Sequence, residues 1–305
     1  MPVLCERGIT IGYDTFGSRA DPALVLFMGL GCQRVLWADG FCRELAERGL
    51  YVVRFDNRDL GESSHYDHLG RPALLPMALA AQFGRPLRPP YTLDDMAGDT
   101  LVLLDALGLP QAHLVGASMG GMITQHIWMR APERVRSLCL WMTSMGDRPL
   151  PPPPPRVAFH LFRPRPRSRA EAIERGVRRL RSFGGGQLPF DEALARELVT
   201  AAHDRDPREE SFLRHLAALV ASPSRADALA RARVPTLVLH GTHDPLVPLS
   251  HGEALARTIP GARLELLEGA GHEYPTVLWP RITSLLAEHA HHAEPRAAPR
   301  TSESV

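Results

Sequence analysis

This chain of 305 residues contains no lysine; all 35 of its Lys-plus-Arg side chains are arginine. The absence excludes Schiff-base chemistry and a Walker loop, each of which depends on a lysine amine. Alongside abundant Ala and Pro it reads as compositional drift in a GC-rich genome rather than as function. Cysteine is scarce as well. Cys5, Cys32, Cys42 and Cys139 show no CxxC spacing and no histidines at metal-ligand intervals, so they read as free thiols in or near a core, with no disulfide framework and no metal site. The formal net charge is only +1, which gives no global field for nucleic acid or an anionic membrane. No apolar run approaches the roughly 18 residues of a membrane span. Met1 to Arg7 lacks the basic segment and hydrophobic stretch of a secretory signal. The expectation is a soluble cytoplasmic protein with no membrane span, no nucleic-acid partner and no sequence signal for an oligomeric state.

What is present is an ordinary globular balance, 44% hydrophobic and 23% charged residues, enough for one large core or a core with an insertion. Residues 8–16, 23–29, 51–56 and 135–141 read as strands. Helices are expected from Trp37 to Arg48 and from Thr92, which opens a Thr-x-x-Asp start, to about Leu107. Such alternation predicts an α/β fold with a mostly parallel, doubly wound sheet covered on both faces. The pattern breaks at Pro149 and the run Pro151 to Pro155. Ser168-Arg-Ala-Glu171 then opens a helix that stops at Gly184-Gly-Gly186, and two more amphipathic helices follow, with no β-like run between. Residues 1–146 and 231–291 are therefore expected to form the core, 147–230 a helical lid, and 292–305 a disordered tail. The triglycine is the expected hinge of the lid.

Gly116-Ala117-Ser118-Met119-Gly120 follows the apolar run Ala112 to Val115 and precedes a helical stretch. A Gly-x-Ser-x-Gly there reads as a serine on a strained strand-to-helix elbow, its glycines permitting close approach of strand and helix. Asp244 and His272 each follow a further strand-like run that ends in a glycine-containing loop. In a parallel sheet those strand ends share one edge, so the three residues can converge. Their chain order, Ser-Asp-His, is that of an α/β-hydrolase triad. Ser118 would be the nucleophile, His272 the general base and then acid, and Asp244 the group that fixes the imidazole tautomer. His243 sits too close in chain to receive the Asp244 hydrogen bond comfortably, and His240 falls within or at the end of a strand. The strand before Met145 offers no alternative carboxylate. The backbone N–H of Met119, directly after the nucleophile, is the first expected oxyanion donor.

The segments Val25 to Gly31, Arg54 to Ser63, Gly116 to Gly121, His240 to Pro245 and Gly269 to His272 together resemble the α/β-hydrolases, and within them the esterase group that includes aclacinomycin methylesterase. That resemblance covers most of 1–146 and 231–290. It implies a cofactor-independent serine esterase, no metal, a small-molecule ester substrate, and the backbone N–H of Leu30 as second oxyanion donor. Many relatives carry His-Gly where this chain has Met28-Gly29, a change that backbone donation survives. Arg58 and nearby carboxylates read as a brace behind the oxyanion loop. The arginine-rich stretch Arg148 to Arg181 reads as a solvated face. Other readings stay open: a peptidase of the proline iminopeptidase type, for which Glu209 and Glu210 are weak amine-binding candidates; a cofactor-free perhydrolase with the same triad; and a catalytically silent hydrolase-like binding protein. Epoxide hydrolase and dehalogenase chemistry usually needs an aspartate nucleophile on this fold, and here that position is Ser118.

Overall fold

Side chains alternate across a strand with a period of two, and in this sheet both faces are apolar. On β3 (Ala23–Phe27), Leu24 and Leu26 join one buried cluster while Val25 and Phe27 join the other. A sheet buried on both faces needs helices on both sides. The computed structural model describes residues 3–74, 76–77, 87–147, 150–151, 154–155, 157, 159, 166–208 and 210–294. In chain order its elements are β1 (Val3–Glu6), β2 (Ile9–Phe16), β3, α1 (Asp39–Glu47), β4 (Tyr51–Phe55), α2 (Leu93–Ala106), β5 (Ala112–Ala117), α3 (Met119–Arg130), β6 (Val135–Trp141), α4 (Arg169–Phe183), α5 (Glu192–Arg205), α6 (Glu210–Ala221), α7 (Ala226–Leu229), β7 (Thr236–Gly241), α8 (Leu249–Thr258), β8 (Arg263–Leu267) and α9 (Trp279–Ala293), besides short 3-10 turns.

The sheet has eight strands in the order β1-β2-β4-β3-β5-β6-β7-β8. From β4 to β8 all pairings are parallel, and β1 and β2 pair antiparallel at one edge. Leu93, Met96, Leu103 and Leu104 of α2 and Met122, Ile123 and Ile127 of α3 cover one face; Phe41 and Leu45 of α1 and Ile282 and Leu286 of α9 cover the other. Thr92 caps α2 in a full capping box with Asp95, as its spacing predicts.

Two boundaries differ from the sequence expectation. Residue 8 begins no strand: Arg7 and Gly8, with φ of 50° and 78°, form the turn between β1 and β2, the two positive dihedrals a tight hairpin requires. The mostly exposed β1 gives no apolar alternation to read. At the other end α9 continues to Ala293, past residue 292 where the sequence places the start of the tail, and His113 bonds Glu294 at 3.0 Å. Residues 295–305 lie outside the described ones, as does the apolar stretch 74–83 except for 74, 76 and 77. Between β6 and β7 the described residues form helices and no strand.

Candidate active site

Ser118 lies between β5 and α3 with φ 56° and ψ −122°, a backbone conformation unfavourable for a residue carrying a Cβ. Its glycine neighbours explain how the turn closes. A Cβ on Gly116 would lie 2.5 Å from Gly121 Cα, and one on Gly120 would overlap the Phe27 carbonyl oxygen. The Ser118 N–H donates to Trp141 O (2.9 Å), and Thr143 Oγ1 donates to Ser118 O (2.6 Å), tying the elbow to the end of β6.

Asp244 and His272 meet beyond the ends of β7 and β8. His272 Nδ1 lies 2.7 Å from Asp244 Oδ2, and the Asp244 side chain is fully buried. The other carboxylate oxygen accepts the N–H groups of Leu246 and Val247, both at 2.8 Å, which fixes the plane of the acid. The histidines nearby in sequence take other hydrogen bonds, although His240 Nε2 stands 3.7 Å from Asp244 Oδ2. His240 Nε2 donates to Val247 O at 2.8 Å, and burial holds its pKa below the usual histidine range; His251 bonds Ser144 Oγ, and exposed His243 bonds Thr242 Oγ1. Among the described residues Ser118 Oγ forms no hydrogen bond with His272, although both residues stand at the same sheet edge; such contacts often tighten only when substrate is bound.

Residues 28–31 pass directly beside the nucleophile. A Cβ on Gly29 would lie 3.2 Å from Ser118 Cβ. Met119 is the first residue of α3, so its N–H is one of the four that a helix leaves without an internal acceptor. The loop is braced by buried charge. Arg34, fully buried, bonds Asp14 (2.9 Å), Glu62 (2.5 Å) and Asp56, and Arg205 at the end of α5 reaches Asp56 (2.8 Å) and Glu62 (3.0 Å). Among the described residues Arg58 does not pair with the nearby carboxylates: its guanidinium forks onto Asp99 of α2 at 2.6 and 2.8 Å. Sequence reading also missed Arg214 and His215 of α6. Arg214 forks onto buried Asp59 at 2.8 and 3.0 Å. A cation and a histidine inside the apolar run Phe212 to Leu216 were the available signal, since a buried helix face tolerates charge only when it is paired.

Gly184 and Gly185 of the triglycine are packed against the histidine loop, while at Gly186, with φ +74°, nothing among the described residues lies within 4 Å of where a Cβ would stand. The Phe183 carbonyl accepts the His272 N–H at 2.8 Å, and the Phe183 ring stands edge-on to the imidazole with centroids 6.3 Å apart. A Cβ on Gly185 would lie 2.6 Å from His243 Cβ and 2.7 Å from Gly269 O. Gly184 and Gly185 are therefore small because the end of α4 docks on the histidine loop. The arginine-rich face of α4 is paired across to α5, Arg169 with Asp204 at 2.7 Å and Arg181 with Glu192. Glu209 lies outside the described residues, and Glu210 stands 3.9 Å from Arg71. Among the described residues no three His, Cys, Asp or Glu side chains gather as a metal-binding group, and no helix is long and apolar enough to cross a membrane.

Sheet order, elbow and acid–histidine pair define the class, and the chain belongs to the α/β-hydrolase family: the family profile described as the alpha/beta hydrolase fold matches residues 22–274. Within it, the chain aligns along nearly its whole length with two methylesterases. Rhodomycin D methylesterase DauP of Streptomyces sp. (strain C5) is 31% identical over 310 residues, covering 94% of this chain and 97% of the relative. Rhodomycin D methylesterase DnrP of Streptomyces peucetius is 30% identical over 302 residues, covering 92% and 95%. Among solved structures, a hydrolase from Pseudomonas aeruginosa PA01 superimposes with a TM-score of 0.65 at 26% identity, covering 96% of this chain and 97% of that one.

Proposed function

We propose that this chain is a cofactor-independent serine hydrolase that cleaves carboxylic esters through an acyl-enzyme. The observation that carries the reading is the Asp244–His272 pair at 2.7 Å on the sheet edge where Ser118 holds its strained elbow. In this mechanism His272 takes the Ser118 proton as Oγ attacks the ester carbonyl, then gives it to the departing alcohol. Water attacks the acyl-enzyme with the same base. The N–H groups of Leu30 and Met119 stabilise the tetrahedral oxyanion, and the helices between β6 and β7 form a lid that shapes the substrate pocket. The two methylesterase relatives favour a methyl ester of a bulky acid over a short acyl ester. A panel of nitrophenyl esters from acetate to long chain, with the methyl ester of a polycyclic carboxylic acid, tests this. Hydrolysis of the methyl ester with release of methanol supports it; turnover confined to aminoacyl amides would replace it with the peptidase reading.

A further inference from the structure

A buried histidine reaches the loop beside Ser118 from α6. The Cys32 N–H donates to the Gly29 carbonyl at 3.2 Å, closing a four-residue turn in which Gly31 has φ +65°, the positive value a type II turn demands at its third residue. In a trans peptide the N–H and C=O point in opposite directions, so the bond that fixes the Gly29 carbonyl also fixes the direction of the Leu30 N–H. The next peptide, Leu30–Gly31, is the one whose orientation distinguishes a type II from a type I turn. Its N–H donates to His215 Nδ1 at 3.3 Å. His215 is itself fixed: Nε2 lies 2.9 Å from Arg58 O, its ring is edge-on to Tyr91 with centroids 6.1 Å apart, and the side chain has no solvent exposure. Only the neutral tautomer with hydrogen on Nε2 makes both contacts hydrogen bonds. Burial pushes the pKa of His215 down to about 4, which keeps the ring neutral. Phe212, one turn earlier on α6, closes over the same glycine: a Cβ on Gly31 would lie 3.0 Å from its ring.

We infer that His215 is a positioning residue for the oxyanion site, its Nδ1 holding the Leu30–Gly31 peptide and with it the turn whose Cys32–Gly29 bond keeps the Leu30 N–H aimed at the reacting carbonyl. The inference rests on the reading of Leu30 as an oxyanion donor. It assigns to a helix of the segment between β6 and β7 a part in the chemical step. Donors of this kind accelerate reaction because their orientation is set before charge develops. Without the acceptor on α6 the middle peptide can flip and the turn loses its type II form, so the Cys32–Gly29 bond that orients the Leu30 N–H loses its support.

Two amide substitutions separate the contacts. The oxygen of His215→Asn replaces Nδ1 and keeps an acceptor for Gly31, while its reach to Arg58 O is lost. The nitrogen of His215→Gln replaces Nε2 and keeps the donor to Arg58 O, while the acceptor for Gly31 is lost. With wild-type ester turnover established first, His215→Gln should lower kcat about 10- to 100-fold with KM little changed, and His215→Asn should restore most of that loss. Melting temperatures of the two should not follow the same order. Equal losses in both variants, or a rise in KM at unchanged kcat, would overturn the inference while leaving the ester reading intact. A wild-type chain that neither turns over esters nor is acylated at Ser118 removes the ester reading and this inference with it. Should the variants fail to fold, imidazole 15N spectra of the wild-type protein decide: a bare Nδ1 and protonated Nε2 at His215 support the assignment, and the opposite tautomer overturns it.

Discussion

Replacing Asp244 by asparagine isolates what the acid does for the histidine from what it does for the fold. In the native site one oxygen faces His272 Nδ1 at 2.7 Å and the other accepts two backbone N–H groups at 2.8 Å each. Asparagine can leave its carbonyl oxygen on Leu246 and Val247 and must then present an NH2 to the imidazole. That NH2 selects the tautomer with a lone pair on Nδ1 and hydrogen on Nε2, which cannot take the Ser118 proton. The loss expected for a wrong tautomer is about 10⁴-fold in kcat, about 5 kcal/mol of transition-state stabilisation. Because the two backbone bonds survive, the melting temperature should hardly move. Asp244→Ala should cost as much activity but also leave the Leu246 and buried Val247 N–H groups without their acceptor, at about 1–3 kcal/mol for each buried donor. Steady-state kinetics on a nitrophenyl ester and thermal melts of the two variants give the comparison. An Asp244→Asn enzyme retaining more than about a tenth of wild-type kcat would refute the assignment of the acid, since residues acting as a unit do not lose so little.

Truncating Phe183, edge-on to His272, should change the ratio of kcat/KM between short and bulky esters by at least about tenfold, in line with the 1–3 kcal/mol of one apolar methylene, while a small organophosphate still labels Ser118; an unchanged ratio would take α4 out of the pocket. Acid should unfold the protein through its buried carboxylates. Burial alone would raise the pKa of Asp14 and Asp59, but hydrogen bonds and charge from Arg34 and Arg54, and from Arg214, bring both below the ordinary aspartate value of 3.8. A depressed folded-state pKa contributes stability above the unfolded value that is lost as pH falls through the folded one, so urea midpoints should drop below about pH 4, and Arg214→Ala should flatten part of that drop while lowering stability at pH 7 by about 3–5 kcal/mol. An EDTA-treated enzyme should keep full turnover, because triad chemistry requires no Lewis acid; activity lost on chelation and restored by one divalent ion would contradict the mechanism.

The elbow was legible because the close approaches at Gly116 and Gly120 fall at fixed spacing on either side of Ser118, and a fixed spacing leaves a short motif. Asp244 and His272 were legible for a different reason: each follows an apolar strand, and a parallel sheet brings such ends to one edge. Two features could not be read. The brace of the loop joins Arg34, Asp56, Glu62 and Arg205 across up to 149 positions, and arginine at one site says nothing about which distant carboxylate it meets. Gly184-Gly-Gly186 looked like a hinge because glycine is needed equally where a chain bends freely and where backbones touch; only the approach of Gly185 to Gly269 and His243 separates the two. His215 combines both difficulties, since its partners are backbone atoms of loops 184 and 157 positions away.

The central claim is that Ser118 carries the acyl group, and mass spectrometry of the protein quenched during ester turnover tests it most directly. The peptide containing Ser118 should gain the mass of the acyl moiety in wild type. His272→Ala should show no such adduct on the same timescale, and Ser118→Ala should show none at all. A fluorophosphonate should label the same residue irreversibly. Acylation of a different side chain, or undiminished turnover by Ser118→Ala, would contradict the account.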